Sequence, residues 1–140
     1  MSQETTGRGN IIPTMRYRDA SAAVEWLCRA FGFEKHLVVE GAPGTIEHAQ
    51  LTLAGGMIML GSERDSELGK LVRAPKPGQP LTQSPYIVIE DIDAHYERAK
   101  AAGADIVMPI EDQPYGGRLY SARDPEGHLW SFGSYDPWVE

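Results

Sequence analysis

The chain has 140 residues, with thirteen Lys and Arg against twenty Asp and Glu, a formal net charge of −7. At 41% hydrophobic and 24% charged residues it has the composition of an ordinary globular domain, which excludes disorder as its main state. The acidic balance, with no Lys/Arg cluster, excludes nucleic acid and an anionic membrane surface as main partners and suits a neutral or cationic small molecule.

The single cysteine, Cys28, excludes an intrachain disulfide and a cysteine-built zinc site, and it fits a reducing compartment. No run approaches the roughly 18 apolar residues of a membrane span. Residues 1–9 are polar and lack an apolar signal core, so they read as a disordered tail on a cytoplasmic protein.

Residues 10–19 read as a strand, with Pro13 near its start. Asp19 has the side chain of a helix N-cap, and Ala23, Trp26, Leu27, Ala30 and Phe31 form a helical stripe ended by Gly32. Strands are expected over 33–40, 45–54 and 57–60, with a tight hairpin at Gly55-Gly56. Residues 62–83, rich in Pro and Gly around 75–80, exceed an ordinary connection and read as a linker, a lid or a partner-binding segment.

The pattern then starts again. A strand over 86–90 leads to Asp91 as N-cap, a helix from Ile92 to Ala102 with Ile92, Tyr96 and Ala99 on one face, and Gly103 as its end. Strands follow over 105–110, 118–123 and 128–133, the last two joined by Asp124-Pro125-Glu126-Gly127, which has the residues of a type I turn. Thirteen residues separate Asp19 from Gly32 and twelve separate Asp91 from Gly103, so the halves match element by element. This predicts a duplicated βαβββ module: a first module over 10–62, a linker over 63–83, a second module over 84–134 and a short tail over 135–140, together one α+β domain.

Three stretches resemble one family. They are Arg18-Asp19-Ala20 through Phe31-Gly32-Phe33, then His48-Ala49-Gln50-Leu51, then Tyr115-Gly116-Gly117-Arg118 through Asp124-Pro125-Glu126-Gly127-His128-Leu129-Trp130. Together they are similar to the vicinal-oxygen-chelate superfamily of glyoxalase I, bleomycin-resistance proteins and extradiol dioxygenases, and within it to the PhnB-like branch. The resemblance implies two modules curving into a paired half-barrel cup that holds a ligand, and a homodimer. In the family's enzymes four strand residues bind a divalent metal. Counting from matching anchors puts those positions on Ile12, Leu60, Pro85 and Ser131, none of which is a usual ligand for such an ion. The chain is thereby similar to metal-free members, so no cofactor is expected. The alternative is a displaced metal site, with His48 joined by Glu47, Glu63, Glu90 or Asp91.

His48 and Gln50 share a strand face, where His48 can act as a base or hydrogen-bonding group or simply hold the strand. Arg118 and Tyr120 share another; an arginine there either clamps a carboxylate or phosphate or pairs with a loop acid such as Glu111 or Asp112. Ser131 is expected to face the ligand, which assigns Trp130, with Trp26, to the core. Tyr115, with Tyr135 and Trp138, offers an aromatic wall or a dimer contact. His36 and His95 read as surface residues, and His128 as a packing or capping residue after the turn. Cys28 reads as a spectator. The expected ligand-binding set is therefore His48, Gln50, Tyr115, Arg118, Tyr120 and Ser131, with His48 and Arg118 the candidates for catalysis. The leading function is sequestration of a small cationic or aromatic molecule. The alternatives are a lyase, isomerase or dioxygenase of the same superfamily and a dimeric interaction module that binds no small molecule.

Overall fold

The computed structural model describes residues 9–139. The expected tail at 1–9 lies outside them except for Gly9, whose amide donates to the Gly55 carbonyl at 3.1 Å. The elements run β1 (Thr14–Tyr17), α1 (Ala20–Phe31), β2 (Glu34–Glu40), β3 (Ile46–Leu53), β4 (Gly56–Ser62), a single 3-10 turn (Leu68–Lys70), β5 (Tyr86–Val88), α2 (Ile92–Ala101), β6 (Asp105–Asp112), β7 (Arg118–Arg123) and β8 (Leu129–Gly133). They form two four-stranded sheets of identical order, β1-β4-β3-β2 and β5-β8-β7-β6, so the expected duplication is present in the fold.

The chain divides into two compact units. One holds the residues up to Cys28 together with Phe33–Ala74; the other holds Arg29–Gly32 and everything from Pro75 onward. The last turn of α1 thus belongs to the second unit.

In the first unit Asp19 caps α1 by accepting the Ala22 amide at 3.1 Å. Met15, Leu60 and Ala49 pair across β1, β4 and β3, as do Ile58 and Leu51, so these side chains share one sheet face. All five are buried, and with Ala23, Val24 and Leu27 of α1 they make the unit's core. The β3–β4 hairpin turns on Ala54 and Gly55, at φ 52° and 83°, one residue earlier than expected. Two positive φ angles are what a two-residue hairpin matched to strand twist requires.

The second unit buries one face of its sheet under α2. Tyr120, Trp130 and Phe132 have no exposed surface, and Phe31 packs against Phe132 with the rings tilted by 54° and their centroids 4.7 Å apart. Trp130 and Trp26 are core residues, as expected. His95 is the correction: it is buried, not on the surface. Its Nε2 donates to the Phe31 carbonyl at 2.7 Å and its Nδ1 accepts from the Tyr120 hydroxyl at 2.7 Å. Arg98 Nε donates to the Arg29 carbonyl at 2.9 Å. Residues of α2 therefore satisfy two carbonyls that the end of α1 leaves without a helical partner, which accounts for that turn's place in this unit.

Asp124 explains the Asp-Pro-x-Gly-His-x-Trp stretch. It is buried, its Oδ1 accepts the amides of Glu126 and His128, both at 3.0 Å, and its Oδ2 accepts the Trp130 indole N–H at 3.1 Å. One carboxylate closes the turn and anchors the largest core side chain.

Candidate functional site

Strand alternation leaves each sheet a second face, opposite its core. In the first unit that face carries Thr14 and Arg16 of β1, Met57 and Met59 of β4, His48 and Gln50 of β3, and Leu37 and Val39 of β2. Thr14 pairs with Met59, Met59 with Gln50 and Gln50 with Leu37, so these four form one row across the sheet. His48 and Gln50 come together as expected, 3.0 Å apart between their Nε2 atoms. The Gln50 amide donates and the imidazole accepts, which puts the ring proton on Nδ1. The lone pair a general base would use is already engaged.

In the second unit the outer face carries Ser121 opposite Ser131 and Ser131 opposite Tyr86. The two serine hydroxyls share a hydrogen bond of 2.7 Å. Tyr86 lies over Gly133: a Cβ there would sit 2.6 Å from the Tyr86 hydroxyl and 2.9 Å from its ring, so any side chain at 133 would have to displace Tyr86. The Tyr86 hydroxyl donates to the Tyr135 carbonyl at 2.6 Å. Burial, followed by the nearby Tyr115 and Asp136, pushes the Tyr86 phenol up, which keeps it a neutral donor. Tyr115 packs edge-on against Tyr135 at 4.9 Å. Its loop reaches Tyr135 because Gly117, at φ 74°, has no side chain; a Cβ there would meet the Tyr135 amide at 2.7 Å. Tyr115 is 56% exposed and Tyr86 39%, so the cluster presents ring surface to solvent.

Arg118 and Tyr120 do share a face, but it is the one under α2. Arg118 pairs with Asp93 of α2, and its Nε lies 3.0 Å from Asp112 in an ion pair that does not meet hydrogen-bond geometry. The loop-acid alternative for this arginine is the one present. Tyr120, expected on a ligand-facing surface, is wholly buried with its hydroxyl on His95. Burial pushes its phenol far up and the His95 imidazole down. The sequence reading missed this pair, although Ile92, His95 and Ala99 follow a helical spacing that marks His95 as inward.

The four positions assigned to a metal do not fit a divalent ion. Leu60 is a correction within that set: it is buried on the core face, while Met59 and Gly61 point the other way. Ile12, Pro85 and Ser131 bring no imidazole or carboxylate, and the Ser131 hydroxyl is already shared with Ser121. Among the described residues no three His, Cys, Asp or Glu side chains converge. The acids considered for a displaced site serve elsewhere: Glu47 pairs with Arg64 at 3.4 Å, Glu63 accepts the Ala74 amide at 2.6 Å and Asp91 caps α2. Among the described residues no helix is long and apolar enough to cross a membrane.

Residues 12–132 match the model of the Glyoxalase/Bleomycin resistance protein/Dioxygenase superfamily. An uncharacterized protein of Mycobacterium bovis is 33% identical over 125 residues, 88% of this chain and 81% of that protein. The crystal structure of TioX from Micromonospora sp. ML1 is similar at TM-score 0.66 and 37% identity, covering 89% of this chain and 97% of that one. The fosfomycin resistance protein FosX from Listeria monocytogenes, solved with Mn(II), shares the fold at TM-score 0.65 and 18% identity, covering 92% of this chain and 91% of that one.

Proposed function

The chain belongs to the Glyoxalase/Bleomycin resistance protein/Dioxygenase superfamily, and from that premise we propose that it binds a small flat aromatic molecule, neutral or cationic, without a divalent metal, and acts by holding that molecule. The observation that carries this reading is the chemistry of the outer sheet faces. Where a metal enzyme needs imidazole and carboxylate, these faces carry Met57 and Met59 beside a His48–Gln50 pair, and Ser121 and Ser131 beside the cluster of Tyr86, Tyr115 and Tyr135. In the second unit the phenol rings are a soft, polarizable surface for an aromatic body, with the two serine hydroxyls to fix its orientation; the first unit's face, with thioethers and an amide, has the same character by itself. Asp136 beside Tyr86, with a net charge of −7, favours a cation over an anion at the tyrosine cluster.

The reading includes a homodimer and a cytoplasmic setting. Large exposed apolar side chains such as Leu71 support the first, and the single cysteine supports the second.

Titration with proflavine, a planar aromatic cation, tests the reading. Saturable binding that persists in chelator and weakens about 3- to 10-fold in Tyr115→Ala is expected, the loss of one aromatic contact. Absence of saturable binding, or binding that Tyr115→Ala leaves unchanged, contradicts it.

A further inference from the structure

A groove of about 420 Å³, open to solvent, lies in the second unit between the 79–84 segment and the start of β8. Its walls include Pro80, Leu81, Thr82, Ser84, Arg123 and Leu129. That volume is within the range of small-molecule sites. Arg123 and Leu129 are cross-strand partners at the end of the β7–β8 ladder, so they share one sheet face and line the groove side by side. The lining has one charged side chain, Arg123, and no acid. Among the described residues the ion-pair partner of Arg123 is Asp105, 3.4 Å away, with both side chains more than half exposed. A pair that long and that exposed holds the guanidinium weakly. By giving up the hydrogen bond it donates to Asp105, its cross-strand partner, the planar fork can meet a two-oxygen anion with two parallel N–H donors. Thr82 and Ser84 add hydroxyl donors, and Pro80, Leu81 and Leu129 add apolar wall.

We infer that this groove is a second binding site, for an amphipathic anion: a compact apolar body carrying one carboxylate or sulfonate that Arg123 clamps. The groove shares the outer sheet face with Ser121 and Ser131, one row further along the ladder, but takes the opposite charge and is lined by none of the three tyrosines, so the Arg123 variants test it apart from the Tyr115 variant that tests the function proposed above. The test is fluorescence titration with 8-anilinonaphthalene-1-sulfonate and with its uncharged counterpart N-phenyl-1-naphthylamine, together with amide chemical-shift mapping. The anion is expected to bind more tightly than the neutral compound, with shifts centred on residues 79–84 and 127–129. Arg123→Gln is expected to weaken the anion at least about 10-fold and leave the neutral compound unchanged, the loss of a charged hydrogen-bonding partner. Arg123→Lys, which keeps the charge but not the fork, is expected to fall between them. Equal affinity for the two compounds, no effect of Arg123→Gln, or shifts centred elsewhere overturns the proposal.

Discussion

Tyr120 donates its hydroxyl to Nδ1 of His95 across 2.7 Å in the core of the second unit. The imidazole can accept that bond only when neutral and only with its proton on Nε2, which in turn donates to the Phe31 carbonyl. One tautomer of one histidine therefore ties β7 to the last turn of α1.

This arrangement makes stability depend on pH. Burial holds the His95 imidazole below the ordinary 6.5, with the backbone bond to Phe31 opposing and Arg98 reinforcing that shift. Below pH 6.5 the unfolded chain binds a proton that the folded chain refuses. Stability is therefore full above 6.5 and falls as pH drops through the window from 6.5 to the lower folded value, by at most about 1.4 kcal/mol per pH unit. Urea unfolding from pH 4.5 to 8 reads this as a slope that His95→Asn flattens. An identical slope in the variant removes His95 as its source.

Tyr120→Phe keeps the ring and deletes the donor, leaving Nδ1 buried without its partner. A loss of about 1–3 kcal/mol is expected by chemical denaturation. A neutral result would mean that water or a rearranged side chain satisfies the imidazole.

Asp124→Ala removes the acceptor of three hydrogen bonds at once, including that of the Trp130 indole. The expected cost is about 3 kcal/mol or more. Asp124→Asn, which retains acceptor capacity, is expected to lose less. Trp130 fluorescence is expected to shift to the red as its anchor goes; an unshifted spectrum in a destabilised variant would assign the loss to the turn alone.

Gly133→Ala drives a methyl into Tyr86, at 2.6 and 2.9 Å from its atoms. Destabilisation by about 1–3 kcal/mol is expected. In the double variant with Tyr86→Ala most of it is expected to disappear, a coupling that a double-mutant cycle reads directly. Additive losses would mean the clash is with the backbone around Arg118 instead.

Much of this molecule was legible in its sequence. Asp19, Asp91, Gly32 and Gly103 mark the helix ends through local chemistry, and the repeated order of elements predicts two like sheets. The hairpin was misplaced by one residue because Ala54, not Gly56, takes a positive φ, and strand propensity does not register that. The same one-residue resolution put Leu60 among outward positions, since side chains alternate with period two. The face occupied by Arg118 and Tyr120 was not legible, because alternation says which residues share a face and not which face a helix covers. His95 was misread because a polar side chain on a helix is usually solvated, and its burial depends on two partners, Tyr120 and Phe31, that are 25 and 64 residues away.

The central claim is binding without a divalent metal, and metal stoichiometry tests it most directly. The protein, purified without chelator or polyhistidine tag and dialysed against Zn²⁺, Mn²⁺, Ni²⁺ and Fe²⁺, is measured by elemental mass spectrometry. The account predicts no metal retained after a final dialysis against buffer, with proflavine affinity unchanged by the treatment. One tightly held ion per chain, with affinity or turnover that appears only in its presence, would contradict it.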